Sequence, residues 1–464
     1  MRLIMKILLA LSWAWICLIF PQASLADEPK VIVGKDNWLF FSQEVVGPDV
    51  ERDIDTSIDL VGRLNGLLQA NGVQMVYAVV PAKMRVYPQF LPAKSKMSGT
   101  MQGNYDRILA KLKSRKVRVI DLNAALSQSP LRKTTSPLFM KGDTHWSPMG
   151  ALVAAEAIKK GVLESPVLDA AYQSTPAEKY EMEFRQQLTT LAPGDLASKL
   201  PNAARLPPEQ SLLFDVTRVA SAGNGVTANS GPKVVLGGSS YSADWTMFPD
   251  ALRFVLQRDI LAMSVPEDKG PWVGLIESYV SGDKFQLDPP RLFIWEAVEQ
   301  ELTAPPAFEY RDKQFVSGNV DWLLRVSAWI QRTCKPSAVK PSIAKAGLAS
   351  VAQDMTADSI SASGTTEADF VEITFNPPAT SLDYVSARMT ATGTKGLTLE
   401  VIGSGGDARR ISFSASGDAR DHVLRAALPS GGAGYAKVRL FPGKTDKFSL
   451  SQISVCAQPG DLLN

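Results

Sequence analysis

An α/β unit with a mostly parallel sheet, followed by an antiparallel β-sandwich, is the fold predicted by three features of the sequence. From about residue 30 to 333, short β-rich apolar runs alternate with longer helical stretches, the pattern of a sheet covered by helices. After Cys334 the residues Gly, Ser, Thr and Ala dominate and short alternating runs recur, the texture of strands with one buried face. The chain has 464 residues, 45% hydrophobic and 21% charged, enough for two cores and unlike disordered, collagenous or small disulfide-stapled chains. The expected division is 1–26, 27–333 and 334–464.

Residues 1–26 read as an export signal. Arg2 and Lys6 flank the start, Ile7 to Phe20 is apolar apart from Ser12, and Ala23-Ser24-Leu25-Ala26 supplies small residues for cleavage before Asp27. The apolar run is short for a bilayer span, so an uncleaved anchor is the second reading. No later segment approaches a transmembrane length, so once exported the mature chain is expected to be soluble outside the cytoplasm.

Strands are expected at Gln74 to Val80, Val117 to Asp121, Lys233 to Leu236, Asp259 to Val265 and Arg291 to Trp295. Helical spacing covers Ile54 to Leu68, Asn104 to Leu112 and Pro148 to Val162. Residues 165–230 carry no pattern that places them. The sandwich strands are expected at Phe370 to Phe375, Leu397 to Ile402, Ile411 to Ala415, Tyr435 to Phe441 and Phe448 to Cys456. Strand-rich modules appended to exported enzymes often bind carbohydrate, although fold alone does not establish it.

Charge and cysteine content narrow the function. Lys and Arg number 49 against 47 Asp and Glu, and loss of Arg2 and Lys6 with the leader makes the mature chain neutral. It has no global field with which to gather nucleic acid. The run Lys111, Lys113, Arg115, Lys116, Arg118 reads as a solvated helix end and the following strand, with a polysaccharide-facing patch as the minor reading. Once Cys17 leaves with the leader, Cys334 and Cys456 remain and are expected to pair in an oxidising compartment, two separate thiols being the alternative.

Histidine occurs only at 145 and 422, so an imidazole base is nearly chosen by counting. His422 lies in a sandwich strand and is expected to face solvent. His145 lies in Lys141-Gly142-Asp143-Thr144-His145-Trp146-Ser147-Pro148, where Ser147 reads as an N-cap and Pro148 as the first helical residue. Asp143, two residues before the imidazole, can accept its Nδ1 hydrogen bond and stabilise an imidazolium. The structural alternative, in which Asp143 caps a turn and His145 packs on Trp146, stays open at this point. The candidate nucleophile lies in Gly237-Gly238-Ser239-Ser240-Tyr241-Ser242, where small residues after a buried strand expose a hydroxyl at the carboxyl edge of the sheet. Neighbouring backbone N–H groups would be placed to stabilise an oxyanion; a glycine-serine turn without chemistry is the alternative. Two distant histidines and two paired cysteines offer no metal-ligand cluster, and there is no Walker loop or dinucleotide fingerprint, so neither metal nor cofactor is expected.

Four strings together resemble the SGNH-hydrolase-like alginate O-acetyltransferases of the AlgX and AlgJ type. They are Lys35-Asp36-Asn37-Trp38-Leu39-Phe40, Gly142-Asp143-Thr144-His145-Trp146-Ser147-Pro148, Val235-Leu236-Gly237-Gly238-Ser239-Ser240-Tyr241-Ser242 and Pro289-Pro290-Arg291-Leu292-Phe293-Ile294-Trp295-Glu296. The resemblance implies an SGNH-hydrolase-like α/β/α domain with Ser240 as nucleophile, His145 as base and Asp143 as the carboxylate that orients it. It also implies that Lys83 lies near the site to meet a uronate carboxylate, that a cysteine-closed carbohydrate-binding sandwich follows, and that the chain is periplasmic; Tyr241 and Trp146 are further candidate substrate contacts. The implied partners are an anionic, alginate-like exopolysaccharide, an acetyl-donor system including a membrane-bound O-acyltransferase, and secretion-complex proteins. Glu301 stands where family members usually carry a tyrosine. The expected activity is acetyl transfer to polysaccharide hydroxyls; the rivals are a carbohydrate esterase of the same fold and a non-catalytic polysaccharide-binding scaffold.

Overall fold

The computed structural model describes residues 31–463 apart from 43, 45–49, 202–205, 220–230, 267–268, 310–311, 345–346, 348–351, 357, 394–395, 414–417 and 433. The expected export signal and Cys17 therefore lie outside the described residues. Among the described residues no helix is long and apolar enough to cross a membrane.

The first unit is built on five parallel strands: β1 (Gln74–Val80), β2 (Arg118–Asp121), β3 (Val234–Gly238), β4 (Ile260–Ser264) and β5 (Leu292–Val298). They lie in the order β4-β3-β5-β1-β2. Helices cover both faces, which is why β1 and β5 read as continuous apolar runs instead of alternating ones. On one face, Val76, Ala78, Leu236 and Ile294 pack with α3 (Pro148–Leu163) and α4 (Phe248–Leu256). On the other, Met75, Tyr77, Val235, Phe293 and Trp295 pack with α1 (Glu51–Ala70), α2 (Gly99–Ser114) and α5 (Asn319–Ile330).

Strand β3 runs two residues beyond the predicted end at Leu236. Gly237 and Gly238 pair with Met263 and Ser264, and crowding explains their type. A Cβ on Gly237 would lie 3.0 Å from Phe293, and one on Gly238 would lie 2.2 Å from Ser242 Oγ and 2.4 Å from Glu296 Oε2. Residues 165–230, which no pattern placed, hold a short helix, Pro166–Gln173, and two small antiparallel ribbons that pair Tyr180–Phe184 with Phe214–Arg218 and Thr189–Thr190 with Gln210–Ser211.

The second unit is a sandwich of two antiparallel five-stranded sheets. Its strands are β6 (Lys340–Ala344), β7 (Ala352–Met355), β8 (Ile360–Ala362), β9 (Val371–Ala379), β10 (Asp383–Thr392), β11 (Leu397–Gly403), β12 (Ala408–Phe413), β13 (Asp418–Ala427), β14 (Tyr435–Phe441) and β15 (Lys447–Ala457). One sheet runs β6-β9-β14-β11-β12 and the other β7-β8-β15-β10-β13, with Val385, Leu399, Val438 and Leu450 among the side chains in the shared core. The end expected at Ala415 lies outside the described residues. Cys334 and Cys456 form a disulfide.

His422 departs from expectation. It is on β13, but its side chain is largely covered, with Nδ1 3.2 Å from Asp283 Oδ1 of the first unit. The strand is not an open face there, because the first unit packs against it: Arg425 Nη1 donates to Trp329 O at 2.9 Å and to Gln286 Oε1 at 2.8 Å.

Candidate active site

Ser240 opens the turn that follows β3, at the carboxyl edge of the sheet. This turn is braced from beneath by Glu296 on β5, a side chain with no exposed surface. The Glu296 carboxylate accepts from Ser239 N at 2.9 Å, Ser239 Oγ at 3.0 Å and Ser242 Oγ at 2.8 Å. Burial pushes its pKa up to about 7, against those hydrogen bonds and the nearby His145, which hold it down. Neighbouring hydroxyls thus point at a buried acid, while Ser240 Oγ turns outward.

The second part is the loop before α3. Ser147 caps that helix by accepting from Gly150 N at 3.3 Å, with Pro148 as its first residue, as the sequence predicts. Upstream of the cap, Met140 N donates to His145 O at 3.1 Å and Ser147 N to Leu138 O at 2.9 Å, closing a small loop that projects His145 over the sheet edge. Nδ1 of His145 lies 2.6 Å from Asp143 Oδ1 and Nε2 lies 2.8 Å from Ser240 Oγ. The tautomer that satisfies both contacts carries its proton on Nδ1 and accepts at Nε2.

Both oxygens of the Asp143 carboxylate are engaged. Oδ1 also accepts from His145 N at 2.9 Å, and Oδ2 accepts from Asp195 N at 3.0 Å. Burial alone would raise its pKa; the hydrogen bonds and charge of His145, with the two backbone N–H groups, outweigh burial and hold it well below the usual carboxylate range. A permanently ionised Asp143 faces an imidazole that touches a serine hydroxyl, the arrangement in which a base can take the hydroxyl proton.

A cleft with about 770 Å³ of atom-free space, part of it open to solvent, leads to this point. The loops after β1 (Val80 to Ala82), β3 (Ser239 to Tyr241) and β5 (Val298 to Glu301) line it with Thr144, His145, Asp195 and Lys199, as expected for a site outside the carboxyl ends of parallel strands. Glu301 stands in this wall.

Three residues read as substrate contacts fare differently. Lys83 has no exposed surface; its ammonium donates to the carbonyls of Met140 at 2.7 Å, Lys141 at 3.0 Å and Asp143 at 2.8 Å. All three protons are used inside the protein, so Lys83 is a brace for the loop and does not reach the cleft. Trp146 is likewise fully buried, packed against Tyr241 and Phe248. Tyr241 lines the cleft, but its hydroxyl is occupied, donating to Thr144 O at 2.5 Å.

Residues 194–209 contribute groups that sequence reasoning missed. Asp195 accepts from Thr144 N at 2.8 Å and Thr144 Oγ1 at 3.1 Å, and Glu209 accepts from Lys141 N and Gly142 N. Their partners are mainly backbone groups, which leave no mark in a sequence beyond the Pro193-Gly194 turn. Gly194 allows the contact: a Cβ there would lie 2.3 Å from Gly142 O. Asp143, His145 and Asp195 bring one possible metal-ligand atom each within 4.8 Å of one another. All four of the carboxylate oxygens already accept hydrogen bonds, so this donor set is built for N–H and O–H groups.

Comparison with known proteins follows the same outline. The family model described as SGNH hydrolase-like domain, acetyltransferase AlgX, matches residues 31–299. The chain is 32% identical over 283 residues to the probable alginate O-acetylase AlgJ of Pseudomonas fluorescens, covering 59% of this chain and 68% of that protein. Over 316 residues it is 30% identical to the probable alginate O-acetylase AlgJ of Pseudomonas aeruginosa, covering 65% and 75%. Among solved structures, the O-acetyltransferase domain of Pseudomonas putida AlgJ superposes with a TM-score of 0.52 at 28% identity, over 62% of this chain and 97% of that one. Pseudomonas aeruginosa AlgX shares the fold over 92% of this chain and 94% of that one, with a TM-score of 0.58 at 16% identity.

Proposed function

Because the chain belongs to the SGNH hydrolase-like acetyltransferase AlgX family, we propose that it is a periplasmic O-acetyltransferase that moves acetyl groups onto hydroxyls of alginate or a similar exported polysaccharide. The observation that carries this reading is the unbroken hydrogen-bond chain from Asp143 through His145 to Ser240 at the floor of the cleft.

In the first half-reaction His145 Nε2 takes the proton of Ser240 Oγ as the oxygen attacks the acetyl carbonyl. Collapse of the tetrahedral adduct breaks the bond to the donor's leaving group, which takes that proton from His145, and leaves acetyl-Ser240. In the second, His145 takes the proton of a sugar hydroxyl, the sugar oxygen attacks the acetyl carbon, the bond to Ser240 Oγ breaks and the proton returns to Ser240. Asp143 stays ionised and stabilises the imidazolium in both steps.

Export by the N-terminal leader would deliver the enzyme to the periplasm. There the donor would be supplied by a membrane-bound O-acyltransferase system, secretion-complex proteins would present the polymer, and residues 334–464 would act as a carbohydrate-binding module. Incubating the purified protein with an acetyl donor and uronic oligosaccharides, then weighing the products by mass spectrometry, tests the reading. Acetylated oligosaccharide is expected from the parent, and Ser240→Ala should lower transfer by at least about a thousandfold. Undiminished transfer by that variant overturns the assignment, and release of acetate without any acetylated sugar identifies an esterase.

A further inference from the structure

Six of the seven described tryptophans are buried, while Trp245 is 56% exposed. It stands against the site: its ring centroid lies 4.7 Å from that of His145, at an interplanar angle of 76°. The mount is rigid. Trp245 lies in a single turn, Asp244–Thr246, and the next residue is 2% exposed, with Thr246 Oγ1 donating to Tyr241 O at 2.8 Å and Ala243 O at 2.7 Å. A fixed, solvent-facing indole beside a base is an apolar platform waiting for cover. A pyranose ring offers the matching surface, a face of C–H bonds edged by hydroxyls.

Charge along the cleft defines which pyranose. Its described lining has four acids, Glu44, Asp195, Glu299 and Glu301, and one lysine or arginine, Lys199. Glu299 is paired with Arg85 at 2.8 Å, and Asp195 is held by the Thr144 N–H and hydroxyl. Burial raises the pKa of Glu44, though the Lys83 ammonium opposes the shift, so this carboxyl is less readily ionised than a free one. Lys199 is 44% exposed at its side chain, sits over the Phe41 ring at 5.4 Å, and among the described residues has Asp195 as its acidic neighbour, at 3.7 Å. An exposed pair at that distance holds its ammonium weakly, leaving it free to meet an anion.

We propose that Trp245 is the stacking platform for the acceptor sugar and that Lys199 selects a uronate by pairing with its carboxylate. The inference rests on the transferase reading and names the specificity of that same site. It is tested with the full-length protein, an activated acetyl ester as donor, and two acceptors, a mannuronate oligosaccharide and its carboxyl-reduced counterpart. One charge-assisted contact is worth about tenfold or more, so Lys199→Gln should cut kcat/KM for the uronate about tenfold relative to the reduced acceptor, with Lys199→Arg retaining most of the preference. Trp245→Ala should raise KM for both acceptors about tenfold, and Trp245→Phe should recover part of that loss. Equal effects of Lys199→Gln on both acceptors, or KM values within twofold of the parent in Trp245→Ala, overturn the proposal while leaving the transferase reading intact. A parent enzyme that transfers acetyl to neither acceptor overturns both.

Discussion

Glu296 illustrates how a single side chain joins stability to the geometry of Ser240. It is fully buried and accepts from Ser239 N, Ser239 Oγ and Ser242 Oγ, so the turn carrying Ser240 rests on one carboxyl. Burial raises its pKa from 4.5 to about 7 in the folded chain. Between those values the folded state holds a proton that the unfolded state has released, so stability falls as pH rises through this window and levels off above it. Glu299 and Glu44 act in the same direction, raised by burial to about 7 and about 8. Lys83, lowered by burial to about 8, adds stability only as pH rises above that value. Asp143, held low, loses its contribution below the ordinary carboxylate range. Denaturant titrations should therefore show the unfolding free energy falling from pH 5 to pH 7.5. Glu296→Gln should remove on the order of 2–3 kcal/mol from that fall. An unchanged slope in the variant would mean that Glu296 is ionised throughout.

At the scale of elements, α3 and the loop before it set the position of His145, and their seating depends on Gly150. A Cβ there would lie 2.0 Å from Leu138 O and 2.9 Å from Trp146 Cβ, and neither atom belongs to a flexible end. Gly150→Ala should push the first turn of α3 away from the Leu138 backbone and carry the imidazole with it. Since about 1 Å of misplacement can cost about 10²-fold, acetylation of Ser240 by an activated ester should slow by about 10–100-fold, read by stopped-flow release of the leaving group. Stability should drop by about 1–3 kcal/mol. Parental rates would show that the loop holds its place without the helix. Much of this architecture was legible in the sequence. The run Gln74 to Val80 matches β1 residue for residue, because a strand buried on both faces is written as unbroken hydrophobicity. Helix α1 extends beyond Ile54 to Leu68 at both ends, since the added residues Glu51-Arg52-Asp53 and Gln69-Ala70 do not continue the apolar stripe. His145, Asp143 and Ser240 stood out by scarcity and by the small residues around them. Lys83, Asp195 and Glu209 did not declare their roles, because a bond to a main-chain carbonyl or N–H demands no particular residue at the other end.

For the molecule as a whole, the connection between the two units is a stapled junction. After α5 the chain runs exposed through Cys334 and joins the last strand, with Ser337 N donating to Val455 O at 3.0 Å and Ala457 N to Lys335 O at 2.8 Å. The disulfide therefore ties the beginning of the sandwich to its end, while Arg425, Gln458 and Ser430 bond the sandwich to the first unit through Trp329 O, Leu324 O and Asp321. Backbone pairing already holds the folded junction, so the covalent bond acts chiefly on the unfolded chain, where it closes a loop of 122 residues. Chain entropy puts its contribution at no more than about 5 kcal/mol. The double variant Cys334→Ala, Cys456→Ala should unfold at lower denaturant by up to that amount, and reductant should shift the parent to the same midpoint without affecting the variant. Asp143, His145 and Ser240 belong to the first unit and bond to one another, not to either cysteine, so acetylation of Ser240 below the unfolding transition should keep its parental rate. A variant as stable as the parent would show that residual structure in the unfolded chain already keeps its ends close, and that loop closure adds nothing.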